Sequence, residues 1–159
     1  MFERLIEILQ SQSVLYEELL ESSRQKKAYL LNNNVEAIRG VTVRENGLIG
    51  RLQRLERERG ALTADLAKRL GLPINGLTLV ELIGRIGDQA VCNQLSSLRI
   101  RLRGYMDELK AINEQNKSLI NQSLEYIDFT MNLLRSSVSG PAYAGAEEIH
   151  GQVFFEARG

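Results

Sequence analysis

The sequence predicts an all-α protein: an elongated antiparallel bundle of three long helices and one short helix, followed by a flexible C-terminal tail. Apolar residues recur at helical spacing through most of the chain, and no stretch shows the two-residue alternation of a half-buried strand. Between these runs, Gly, Pro and Asn gather in short clusters that divide the chain into helix-sized pieces. With 159 residues the chain is long enough for one domain with a real core.

The first helix is expected from Phe2 to Leu31. Phe2, Leu5, Leu9, Tyr16, Leu19 and Leu30 form one stripe, with Ile6, Ile8, Leu15 and Leu20 beside it. Asn32, Asn33 and Asn34 stop it, because Asn bonds its local backbone and tolerates left-handed conformations, and Asn34 then stands where a cap belongs. So short a turn sends the second helix back antiparallel. That helix, Val35 to Leu70, carries Ile38, Val41, Leu48, Leu52, Leu55, Leu62 and Leu66 and ends at Gly71-Leu72-Pro73, where Gly supplies a left-handed cap and Pro forbids continuation. Gly40, Gly47 and Gly50 weaken its beginning by about 1 kcal/mol each relative to Ala, which leaves a kink or break open between Gly40 and Gly50.

A short helix is expected from Thr78 to Ile86, since Thr78 and Glu81 have the spacing of a capping box. Asp88 then caps the last helix, expected from Asp88 to Ser136 with Gly104 in its interior. Leu109 to Leu134 holds neither Gly nor Pro, which makes this helix the expected organiser of the fold. One stripe runs through Leu95, Leu98, Leu102, Tyr105, Leu109, Ile112 and Leu119, with Asn113 and Asn116 on or beside it where Leu or Ile would fit. Asn in a seam costs stability and fixes register. A second stripe runs through Ile120, Leu124, Ile127, Met131 and Leu134. Leu55, Leu98, Leu102 and Leu109 are expected in the core. Residues 1–138 make the bundle domain, and residues 139–159, with Gly140, Gly145, Gly151 and Gly159 and no helical period, make a tail that is flexible on its own.

Lengths carry the argument toward a surface. At about 1.5 Å per residue, a first helix of about 30 residues spans about 45 Å and a last helix of about 49 residues about 74 Å, so the two cannot cover one another. The last helix should run parallel to the first and overhang it by about 19 residues, placed at the C-terminal end. The stripe from Ile120 to Leu134 would then be uncovered. It is too regular for a solvated face, and it is the expected docking surface for an amphipathic helix, with Asn116 at its edge.

Composition excludes several functions. Acidic and basic residues balance at 20 each, so no global field recruits nucleic acid or an anionic membrane. The arginines at 51, 54, 57, 59, 99, 101 and 103 are interleaved with or followed by acids, as helical ion pairing would require. No stretch of about 18 apolar residues exists, and MFERLIEILQ sets charges among its apolar residues, which predicts a cytoplasmic protein without stable membrane insertion. Cys92 has no partner for a disulfide and reads as a small residue at a seam edge. His150, the only histidine, falls in the tail, so no His-based metal site or catalytic triad can be assembled, and the isolated Asp and Glu pairs read as solvated charge. No cofactor, metal site or catalytic residue is expected.

Two segments resemble the FlgN-type flagellar export chaperones. RENGLIGRLQRLERERGAL is similar to that family's heptad run leading into Leu-Glu-x-x-Arg, here Leu55, Glu56 and Arg59. LKAINEQNKSLI is similar to its Leu-x-x-Ile/Leu-Asn-x-x-Asn-x-x-Leu-Leu signature, here Leu109, Ile112, Asn113, Asn116, Leu119 and Ile120, with Ile at the final position. Tyr143 and the glycines after it resemble the family's Tyr-Gly-x-x-Gly element, though Ala144 separates Tyr143 from Gly145. The resemblance implies a chaperone that binds the C-terminal helices of hook-associated (hook-filament junction) proteins and delivers them to the flagellar type III export gate, with no nucleotide of its own. It also implies that Asn113, Asn116 and Tyr143 help to form partner contacts. A structural coiled-coil adaptor or a self-associating homo-oligomer is the alternative, and a metalloenzyme bundle stands behind both.

Overall fold

Glu3–Leu31 forms α1, Val35–Arg69 α2, Leu79–Ile83 α3 and Gln89–Ser137 α4. No strand occurs among residues 1–137, the part of the chain that the computed structural model describes. The expected elements are all present, with α3 shorter than anticipated.

Local chemistry explains the ends. Asn33 adopts φ +52°, and the Asn34 N–H donates to the Tyr29 carbonyl at 3.0 Å, closing α1 in a Schellman turn. Asn34 then caps α2, its Oδ1 accepting from the Ala37 N–H at 3.2 Å. Gly71 at φ +67° and the Leu72 N–H to Ala67 carbonyl bond of 2.9 Å repeat the Schellman turn at the end of α2. The capping box at α3 is complete: the Thr78 N–H donates to Glu81 Oε2 at 2.7 Å, and the Glu81 N–H donates to Thr78 Oγ1 at 3.2 Å. Asp88 Oδ1 accepts from Ala90 and Val91 at 2.9 and 3.3 Å, opening α4 as expected.

The organising helix is α1, not α4. Both α2 and α4 pack closely along α1, and no comparably close packing joins α2 to α4. Accordingly α1 buries Leu5, Ile6, Ile8, Leu9, Leu15, Leu19 and Leu20 together with Gln12, Ser13, Ser22 and Ser23. The apolar stripe alone does not reveal the burial of these polar residues. One core cluster joins Leu5, Ile6 and Leu9 to Leu66, Leu82, Leu95, Leu98 and Leu102; a second joins Leu15 and Leu19 to Leu48 and Leu52. Leu98 and Leu102 are therefore core residues as expected. Leu55 and Leu109 are only half-buried against the second cluster, because α2 and α4, which carry them, do not close on one another as tightly as each closes on α1.

Through Gly40, Gly47 and Gly50, α2 remains one unbroken helix. Burial of Val41, Glu45, Leu48 and Leu52 holds that segment helical against its weak propensity.

Candidate partner-binding surface

Register places the surface. Asn116 Nδ2 donates to the Ser23 carbonyl at 2.9 Å across a separation of 93 residues, and Arg24 pairs with Glu108 at 2.9 Å while Lys27 donates to Gln115 at 2.8 Å. These contacts run α1 and α4 parallel. The buried Asn116 bond to Ser23 sets Leu31 about level with Leu124, so among the described residues α4 continues alone from there to Ser137, about 13 residues or about 20 Å. The excess length of α4 is thus divided. Its first turns precede α1, and they are covered where Val91 and Leu95 pack with Leu82 and Ile86.

Beyond Leu124 the helix is apolar over most of its circumference. Ile127 and Met131 are half-buried and Leu134 is 51% exposed, while Tyr126, Phe129 and Leu133 are 70%, 61% and 53% exposed. At 3.6 residues per turn, the residues from Leu124 to Leu134 describe an apolar arc of about 220°. Glu125, Asp128, Asn132 and Arg135 fill the remainder. The expected stripe spans about 80°, about a third of this arc; Tyr126, Phe129 and Leu133 lie outside a single-stripe pattern, although a full helical projection of the same residues shows them.

Ile120, expected to lie in the overhang, instead sits within the bundle. It lines an open groove of about 580 Å³ whose floor is Leu19 and Ser23 of α1, whose α2 wall is Glu45 and Ile49, and whose α4 wall includes Asn113 and Asn116. Asn116 is buried and Asn113 exposed, so only the first occupies a seam. Ser23 Oγ donates to Glu45 Oε1 at 3.2 Å, and Lys26 forms an ion pair with the other carboxylate oxygen. Leu119 is half-buried but does not line the groove. Tyr143 and the tail at 139–159 lie outside the described residues. The sequence-derived site is therefore split between a groove at the end of the bundle and the free end of α4.

Nearer the start of α1 and on the same face, Gln12 Nε2 donates to Glu56 at 3.1 Å, and Glu56 also accepts from Arg59 Nε at 2.8 Å. The Arg59 bond, seconded by Gln12, holds the Glu56 carboxyl below its ordinary range against a smaller opposing cost of desolvation. The Leu-Glu-x-x-Arg segment thereby fastens α2 to α1. The helical pairing expected of the arginine clusters is only partly realised: Arg59 pairs with Glu56, whereas Arg51, Arg54, Arg57, Arg99, Arg101 and Arg103 have no ion pair among the described residues. Cys92 is half-buried, its Sγ 3.4 Å from the Ile86 carbonyl.

Among the described residues no group of His, Cys, Asp and Glu could hold a metal ion, and no helix is long and apolar enough to cross a membrane. Among the described residues the fold displays a helical frame with an uncovered apolar helix end. The family model described as FlgN protein matches residues 1–147, and the chain belongs to that family, whose role is that of flagellar export chaperones. No match is found among curated proteins or among solved structures.

Proposed function

We propose that this chain binds the C-terminal helical segments of hook-associated proteins in the cytoplasm, keeps those segments from associating early, and delivers them to the flagellar type III export gate. Family membership supports binding of hook-associated proteins in general. The observation that carries the finer reading is the free end of α4, where Leu124, Ile127, Met131 and Leu134 continue the core stripe past the last residue that α1 can cover. A self-assembling helix in transit needs a temporary apolar partner, and helix-on-groove recognition supplies one without new folding of the carrier. Tyr143 and the tail are assigned to the same contact or to the gate.

The test is the Leu124→Ser, Ile127→Ser double variant. It should lose capture of hook-associated C-terminal segments in a pull-down while its circular dichroism and melting temperature stay close to those of the parent. Retained capture would remove the overhang from the site, and an unfolded variant would make this stripe core.

A further inference from the structure

The overhang stripe does not begin where α1 ends. Leu124 and Met131 stand seven residues apart, and the same count back along α4 gives Lys117, Lys110 and Arg103. The companion line through Leu134, Ile127 and Ile120 leads back in the same way to Asn113 and Met106. Alternating steps of three and four residues make a seam on which a second helix packs, and the drift of about 20° per heptad is what a supercoiled partner follows. One seam thus runs for about 31 residues, or about 47 Å, along α4. It is apolar from Ile120 onward and basic before it.

The basic half lies open beside the bundle. Arg103, Met106, Lys110, Asn113 and Lys117 are all exposed. Asn113, Lys117 and Ile120 line the groove that faces Ile49 of α2, while Glu108 and Gln115, on the other flank of α4, are taken by Arg24 and Lys27 of α1. Since α2 does not close on α4, the flank toward α2 is left with room for a helix. From Arg103 to Lys117 the seam holds cations and no carboxylate, and Asp107 and Glu114 stand on its outer side, away from the groove. A helix seated on the apolar half and continuing along the seam therefore meets three cations at intervals of seven residues. Apolar groups there would strip water from each cation without return, and basic groups would add repulsion; carboxylates alone complement them.

We infer that the carried segment is a helix of two halves: an apolar stripe that covers Ile120 to Leu134, and a row of Asp or Glu at heptad spacing that faces Lys117, Lys110 and Arg103. This rests on the chaperone reading above and adds what the cargo must contain. The apolar half supplies the affinity. The acidic half, at an exposed rim, adds little to affinity and fixes register, because an apolar helix without it could slip by a heptad along the overhang.

The experiment titrates synthetic C-terminal segments of hook-associated proteins into the full chain and into Arg103→Glu, Lys110→Glu, Lys117→Glu and Lys68→Glu, each first checked by melting; all four positions are exposed. Each reversal on the seam should weaken binding about three- to tenfold, and Lys68→Glu, near the end of α2, should leave it unchanged. In a segment that binds, every acid is then replaced singly by Lys. One such replacement should restore binding to each reversed variant, and the three that do so should fall about seven residues apart. Reversals that change binding by less than about twofold, a binding segment without acids at that spacing, or rescues at unrelated positions would overturn the inference; the chaperone reading would stand as long as Leu124→Ser, Ile127→Ser loses capture. Should no segment bind the parent chain, both readings fall. If a reversed variant does not fold, Arg103→Gln, Lys110→Gln, Lys117→Gln in one chain decides by salt: binding to the parent should weaken as salt rises, and binding to this variant should not. Equal salt dependence in the two would count against the seam.

Discussion

Gln12 is buried on α1, yet the atom that satisfies it belongs to Glu56 on α2, 3.1 Å away, so a polar pair does work that an apolar pattern would not assign to either residue. The same carboxylate accepts from Arg59, which lowers its pKa, and at Glu81 the Thr78 backbone N–H followed by its hydroxyl has the same effect. Both carboxyls bind protons less readily folded than unfolded. Their contribution is therefore intact above the unfolded carboxylate range, about pH 4.3 for Glu, and is lost as pH falls through the lower folded values. Urea midpoints should be flat from neutrality down to about pH 5 and then fall, and Glu56→Gln should flatten part of that fall; an unchanged acid limb would mean that the Arg59 and Gln12 bonds do not persist in solution. Leu102 tests the apolar side of the same scale. It is 6% exposed within the main cluster, and Leu102→Ala should cost about 2 to 5 kcal/mol in denaturant unfolding, whereas the half-buried Leu55 and Leu109 should each cost less. A loss under about 0.5 kcal/mol at Leu102 would place it at a surface.

Among the elements, α2 is the one whose sequence and structure pull apart. A Cβ added at Gly40, Gly47 or Gly50 would meet nothing within 4 Å, and all three lie within an unbroken helix. Each Gly→Ala change should therefore stabilise the protein, by about 0.5 to 1 kcal/mol, through the lower backbone entropy of the unfolded chain. Urea unfolding of the three single variants checks this, and a loss of stability would show that the segment is not helical in solution. The ends of the helices were legible because caps are local: Asn34, Gly71, Thr78 with Glu81, and Asp88 act on amides and carbonyls a few residues away. The continuity of α2 was not legible. It depends on Val41, Glu45 and Leu48 finding α1, a contact that no window of sequence around Gly40 contains. For the same reason α3 stops at Ile83, before the expected Ile86: the capping box defines where it begins, while its end is set by how Leu82 enters the core and the chain turns into α4.

For the whole molecule, length arithmetic made α1 and α4 parallel and left the end of α4 uncovered, as in the structure, whereas the Gly- and Pro-free run made α4 the centre, a place that α1 holds. The buried Gln12, Ser13, Ser22 and Ser23 read as surface in any apolar pattern, so that pattern does not show that α1 is packed on two sides. The site was legible to the extent that it continues the core stripe; the Tyr126, Phe129 and Leu133 flank was not, because nothing on α1 or α2 pairs with it and a bundle pattern has no use for it. These placements have a dynamic consequence. Upstream of Leu124, amide hydrogen bonds of α4 are shielded by α1 and open only with the bundle, whereas from Glu125 to Ser137 no described helix covers them, and local opening should cost far less than global unfolding. Hydrogen exchange on the isolated protein should therefore divide α4 near Leu124, with slow amides through Leu95, Leu98 and Leu102 and fast ones through Tyr126, Phe129 and Leu133. Adding a hook-associated C-terminal segment should slow the second group most. Because an apolar arc of about 220° is wider than the stripe of about 100° by which a surface helix usually packs, the slowing should extend to Tyr126 and Phe129, on the flank away from the groove, if the bound segment covers the arc with two helices. Slowing confined to Ile127, Met131 and Leu134 would mean one bound helix and leave the Tyr126 flank for another occupant. Uniformly slow exchange along α4 in the free protein would contradict the placement itself, since it would require a cover over residues that neither α1 nor α2 is long enough to reach.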